Sequence, residues 1–261
     1  MCEGKRVVGV GYSDFWEKAR SMDPAFFNQL AEFIPAMDNS MRQQETEPLA
    51  KTVRAISRMV CDSLGGLSIL ALNGHDIDAL RIARCMFEGA VTAAYLAKFQ
   101  EELDDYLQFV RVSAKRLLDY SDENPNGREP VDPLRRAQIE SNFDSVKSRY
   151  TNSKGVLRQT WCRKPVSQMF ADVGLAQWYP SFYHLASSAV HMNARGMFMH
   201  YHLSEAGDPV FDPPPRTDWI QQSLASARVA IWTSLRAYAE VTHEPATRLL
   251  IDHAIELFSL K

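Results

Sequence analysis

Apolar residues recur at every third or fourth position along nearly the whole chain, the spacing of helices that bury one face. Alternation of the kind that strands need is almost absent, and the one short candidate is RVVGVGY at residues 6–12. Asp14 followed by Glu17 has the form of a capping box. Asp23 and Pro24 place a cap ahead of a proline at the first helical position, and Pro35 should end the helix so begun. A long helix is expected after Pro48, through LAKTVRAISRMVCDSLGGLSILALN, with Gly65 and Gly66 as a place to bend. NGHD at residues 73–76 reads as a turn, with Asp76 capping a helix that reaches about Lys98.

Another helix is expected over EELDDYLQFVRVSAKRLLDY, and then SDENPNGREPVDP reads as a loop. LRRAQIESNFDSVKSRY is charged and amphipathic, which places it on the outside as a lid or projecting hairpin. A short helix should follow Pro165, and a histidine-bearing helix should begin near Trp178. SEAGDPVFDPPPRT breaks the pattern, and Asp218 then caps a long helix. Ile220, Leu224, Ala227, Ile231, Leu235 and Tyr238 share one face of it. Pro245 interrupts, and ATRLLIDHAIELFSL closes the chain as a last helix. The expectation is an all-α fold: one domain over residues 1–261, a bundle of about eight helices around Asp76–Lys98. Residues 1–46 would be an N-terminal helical segment, and 121–165 and 203–217 loop-rich insertions.

Composition changes this picture little. A net charge of −3 argues against a nucleic-acid binder that works along its whole surface, while leaving room for a local basic patch. Cys2, Cys61, Cys85 and Cys162 form no C-x-x-C pair, and they read as reduced thiols, three of them packed in helices. There is no cleavage signal at the N-terminus and no uninterrupted apolar run of the ~18 residues a membrane span needs, so the cytoplasm is the expected location. Nucleophilic triads, glycine-rich phosphate loops and nucleotide fingerprints are absent, and no cofactor is expected.

Chemistry concentrates in two places. On the helix DIDALRIARCMFEGAVTAAYLAK, Arg84 and Glu88 share a stripe with Ile77, Leu80, Val91 and Tyr95. A charged pair with apolar neighbours above and below is a narrow solvent face, a buried clamp or the wall of a site, and the pattern alone leaves all three open. On the second segment His184, Ser188, His191 and Arg195 fall on one line, joined by His202 if the helix continues past Gly196. Phe182, Leu185, Ala186, Ala189 and Val190 lie opposite. The polar stripe contains no Lys, Glu, Gln or Asp, unlike a solvated face, and its histidines suit proton transfer or anion contact near neutral pH. His184 and His191 stand about 10 Å apart along a helix axis, too far to grip one metal ion. H-E-x-x-H and Glu-x-x-His are missing, so no metal is expected.

Two fragments resemble an uncharacterised family of bacterial all-helical proteins. RCMFE, Arg84 to Glu88, is similar to that family's R-x-x-x-E on a central helix. YHLASSAVH, Tyr183 to His191, is similar to its tyrosine, small or serine residues, then Val-His. The likeness covers roughly Leu49 to His243 and implies a helical bundle in which Arg84, Glu88, Tyr183 and His191 belong together. RGMFMH, Arg195 to His200, and RLLIDH, Arg248 to His253, resemble the arginine–histidine signature of the HEPN class of helical ribonucleases and toxin-type proteins. Gly196 and Leu249 stand where that class usually has a polar residue.

That second likeness implies a metal-independent ribonuclease of a defence or toxin-type effector, acting on RNA. His200 would be general acid or base on the ribose 2′-hydroxyl, and Arg195 would steady the phosphate charge. The candidate catalytic residues are then His191, Arg195 and His200, with Arg84, Glu88, Tyr183, His184 and Ser188 lining the site. The competing expectation is a non-enzymatic helical module that binds a partner protein or a small anion, with a homodimer an open option.

Overall fold

The computed structural model describes residues 47–124, 131–191 and 216–242, with residues 199, 201–204, 206, 208–211, 245, 248–249 and 251–253. The strand candidate at 6–12, the caps at Asp14 and Asp23, the segment 1–46 as a whole and most of the closing helix lie outside the described residues. The fold is all-α, with eight α-helices among the described residues. The chain divides into two compact units, one built from the residues up to Lys98 together with those from Ser167 onward, the other Phe99–Val166.

In the first unit, α1 (Pro48–Leu72), α2 (Asp76–Lys98) and the late helix Thr217–Thr242 pack on one another. Val53, Ile56, Val60, Leu64 and Leu67 recur at helical spacing on α1 and are all buried, while Leu80, Ala83, Phe87, Ala90, Val91 and Leu96 bury most of the circumference of α2. Burying one such large side chain contributes roughly 1.5–3 kcal/mol. The helix runs through Gly65 and Gly66 to Leu72 without a break. Its end is set by Asn73, whose backbone N–H reaches the carbonyls of Ile69 and Leu70, and by Gly74 at φ 77°, a left-handed conformation that glycine adopts without strain. Asp76 opens α2: its carboxylate accepts the Ile77 N–H at 2.8 Å and the Arg216 N–H at 2.9 Å, tying the start of this helix to the lead-in of the last one. By length and composition α1 could cross a membrane, with mean hydropathy 1.4 over its most apolar window, of which 39% is buried in the protein.

Small residues set the distances in this core. Ser57 donates to the Ser234 carbonyl at 2.9 Å, and both are fully buried. A Cβ on Gly89 would lie 2.8 Å from Cγ2 of Val60, so α1 and α2 cross where glycine removes a side chain. Gly89→Ala should gain up to ~1 kcal/mol in helix propensity but meet a stiff, β-branched neighbour, and overpacking of this kind costs about 1–3 kcal/mol. The expected outcome is a lower denaturation midpoint for Gly89→Ala, restored in the Gly89→Ala/Val60→Ala double variant.

The second unit holds α3 (Leu103–Glu123), α4 (Pro133–Asp144) and the single turn α5 (Lys147–Tyr150). Asp132 caps α4 by accepting the Arg135 N–H at 2.9 Å, ahead of Pro133 at the first helical position. LRRAQIESNFDSVKSRY, expected on the outside, is exposed over much of its length. Its Phe143, Val146 and Tyr150 nonetheless form the core of this unit with Val112 of α3, covered by Phe109 and Leu157. Asp105 is buried here, paired with Arg149 and with Arg158 at 3.6 Å, and Tyr150 donates to its backbone carbonyl at 2.6 Å.

From Ser167 onward the chain is back in the first unit: α6 (Val166–Asp172) leads to a π-helical turn, Tyr179–Tyr183, which feeds directly into α7 (His184–His191). A two-stranded antiparallel ribbon follows, β1 (Tyr201–Leu203) with β2 (Pro209–Phe211), in the register Tyr201 to Phe211, His202 to Val210 and Leu203 to Pro209. Periodicity gave no sign of it, because three-residue strands are too short to alternate. His202 is therefore on a strand, and the continued helix that would have placed it on the stripe does not reach it. The helix that began at Asp76 is followed in space by α8, the Thr217–Thr242 helix already described, whose Ile220, Leu224, Ala227, Ile231, Leu235 and Tyr238 are buried as their spacing requires. The cysteines depart from expectation: Cys61 is buried in α1, but Cys85 is exposed on α2 and the buried Cys162 lies outside any helix.

Candidate functional site

Arg84 and Glu88 are one helical turn apart on α2, and they form a bidentate pair. Nη1 of Arg84 donates to Oε2 at 3.2 Å and Nη2 to Oε1 at 2.9 Å. The third member comes from the π turn. Tyr183 donates its hydroxyl proton to Oε1 of Glu88, and its oxygen accepts from Nη2 of Arg84 at 3.1 Å, so the three side chains close a ring of hydrogen bonds. The guanidinium carbon also lies 4.9 Å from the centroid of the Tyr183 ring. The Arg84 side chain is 11% exposed and that of Glu88 39%, so the cluster is rooted in the core and opens to solvent on the carboxylate side. Nε of Arg84 is buried and has no hydrogen-bond partner among the described residues.

Aromatic packing fixes the tyrosine. Its ring centroid is 5.1 Å from Phe170 and 5.4 Å from Tyr179, with Tyr179 stacked at 22°. Phe170 stacks on Phe87 of α2 at 5.7 Å, and Phe87 also meets Trp178 at 5.4 Å and Phe182 at 5.5 Å. The π turn is what brings Tyr183 here. Adding a residue to a turn rotates the following side chains relative to an α-helix, and Pro180 inside it has no N–H to place. A further arm holds α7 itself: Arg81 of α2 donates Nε to the Ala189 carbonyl at 3.0 Å and Nη1 to Asp78 at 2.6 Å.

Burial pushes the Tyr183 hydroxyl well above the usual tyrosine range, and the acceptor Glu88 pushes it further, partly offset by Arg84. The hydroxyl thus remains a donor across the physiological range. As pH rises past about 10, unfolded chains lose this proton while folded ones keep it, so stability present below that pH is lost above it. Tyr183→Phe should therefore flatten the alkaline fall of the denaturation midpoint, measured between pH 9 and 11. A residual slope is expected from Tyr106 and Tyr150, which burial also raises.

The sequence-expected residues divide into three sets. Arg84, Glu88 and Tyr183 meet. His184 and His191 are exposed on α7, and Ser188 is buried, 4% exposed, with its hydroxyl on the His184 carbonyl at 3.4 Å. Arg195 and His200 lie outside the described residues. Among the described residues, no three His, Cys, Asp or Glu side chains come together in a way that could hold a metal ion. Sequence reasoning missed Arg81 as a tie to α7 and missed the aromatic seat of Tyr183. The dense run QWYPSFYH was the available signal for the second. A cleft of about 580 Å³ elsewhere on this unit, between the end of α2, residues 171–175 and α8, contains none of the expected residues.

A family model, described as a family of unknown function (DUF5677), matches residues 53–209, more than half of the chain. The protein is a member of that family. The DUF5677 span contains both halves of the Arg–Glu–Tyr cluster, α7 and β1. No curated protein and no solved structure matches the chain.

Proposed function

We propose that this DUF5677 protein is RNA-directed and cleaves its substrate beside α7. The carrying observation is that His184 and His191 are exposed on a helix held to α2 by the side chain of Tyr183 just before it and by the Ala189 carbonyl near its end. An imidazole presented to solvent from a fixed support can be held against a substrate as a general acid or base. In the reaction the ribose 2′-oxygen attacks the neighbouring phosphorus while a base takes its proton. The bond from phosphorus to the 5′-oxygen breaks, and an acid protonates that oxygen. His191 and His200 are the base and acid in this reading, and Arg195 faces the charge that builds on the phosphate. Arg84, Glu88 and Tyr183 are positioning residues that set the pitch and rotation of α7.

The test is cleavage of labelled RNA by the wild-type protein and by His191→Ala and His200→Ala. Loss of one acid–base group should lower the rate by about 10²–10⁴. Equal cleavage by all three proteins, or none by any, defeats the reading. The part-exposed Glu88 beside Nε of Arg84 favours a second one, a non-enzymatic module that holds a partner protein or small anion at the cluster. Arg84→Ala and Glu88→Ala would then each abolish binding, since either leaves the other unpaired.

A further inference from the structure

We infer that the segment Lys147–Lys164 of the second unit is a contact for single-stranded RNA, an inference that rests on the RNA reading above. Between Asp144 and Asp172 the chain carries Lys147, Arg149, Lys154, Arg158, Arg163 and Lys164 and not one acidic residue, in a protein whose net charge is −3. Two of these cations are spent internally. Arg149 pairs with Asp104 and Asp105, and Arg158 lies 3.6 Å from Asp105. Lys147, Lys154 and Arg163 are exposed, and among the described residues no carboxylate pairs with them. Lys147 contributes least, because Asp119, Glu140 and Asp144 line the same cleft.

The backbone beneath them is fixed. Thr151 and Leu157 form an antiparallel bridge, and Asn152 Oδ1 accepts the N–H groups of Lys154 and Val156, both at 2.9 Å. Gly155 takes φ 76° at the tip. Arg158 returns its N–H to the Tyr150 carbonyl at 2.8 Å, and Arg116 of α3 holds the Gln159 carbonyl at 3.2 Å. Trp161 stands edge-on to Tyr106 at 5.2 Å in the same region. Exposed cations at 147, 154 and 163, spread along a stretch with no acidic residue and a hydrogen-bonded turn between them, suit the evenly repeated charge of a phosphodiester chain.

The experiment is the salt dependence of binding of a labelled single-stranded RNA to the full chain, with a Lys147→Gln/Lys154→Gln/Arg163→Gln variant and a poly-glutamate competitor. Three phosphate contacts contribute about 2 to the slope of log affinity against log salt. The variant should lose that much slope and bind about tenfold more weakly at low salt, while Lys147→Arg/Lys154→Arg retains both, and circular dichroism shows all to be folded. An unchanged slope in the glutamine variant overturns the inference, as does competition by poly-glutamate equal to that by RNA, which would identify an acidic protein as partner. RNA binding with the expected slope but no cleavage sinks the catalytic reading and leaves this one standing. Cleavage with the slope unchanged does the reverse.

Discussion

Phe87→Ala is expected to lower the stability of the first unit by about 3–5 kcal/mol, the range for removing a large aromatic side chain from a close-packed core. Phe87 is fully buried, and three rings from the α6–π-turn region, those of Phe170, Trp178 and Phe182, rest on it. The loss combines the transfer free energy of the ring with the void it leaves. The void adjoins Phe170, which packs on Tyr183, so the cluster should loosen as well as the core. With total stabilities of about 5–15 kcal/mol for a domain, this one change removes a large share. Urea denaturation is the measurement. A loss below ~1 kcal/mol would mean that the aromatic stack does not hold α2 to the π turn. Phe87→Leu, which fills more of the space, should cost less.

Glu88→Ala ranks second. It strips the carboxylate from a guanidinium that is 11% exposed and leaves the Tyr183 hydroxyl without its acceptor. Fully buried pairs lose about 3–5 kcal/mol when one partner goes, and exposed pairs under ~1. Glu88 is 39% exposed, which places this cluster between the two, at about 2–3 kcal/mol. Glu88→Gln keeps one acceptor oxygen and should cost less. Arg84→Met/Glu88→Met should recover much of the loss, since no orphaned charge remains. A double-mutant cycle between Glu88 and Tyr183 should show coupling of about 1 kcal/mol or more. The cycle between Glu88 and His191 should stay under ~0.3 kcal/mol, because His191 is exposed and the hydrogen bonds of the ring run among Arg84, Glu88 and Tyr183 alone.

These contrasts also mark how far the sequence could be read. Long helices were legible because each carries an apolar stripe several turns long, as in the run from Ile220 to Tyr238 of α8. The break after α1 was legible because Asn73 and Gly74 have few other uses. The pairing of Arg84 with Glu88 was written in their spacing, and Tyr183 was assigned to them through the family likeness. The π turn was not legible. A helical wheel assumes 100° per residue throughout, and one extra residue within a turn rotates everything after it. The stripe drawn through His184, Ser188 and His191 lies wholly within α7, where the two histidines are exposed and Ser188 is buried. The ribbon and the second unit were missed for a different reason. Three-residue strands carry no period, and the core of the Phe99–Val166 unit rests on a few apolar positions in segments otherwise dense in charge.

The Tyr179–Tyr183 turn therefore works as a phase setting. A single residue gained or lost there would swing α7 by roughly a quarter of a revolution about its own axis, carrying His184 and His191 toward a different neighbour while every side chain kept its identity. Insertions and deletions at this point are a route by which one scaffold could present several different surfaces without altering the helices on either side.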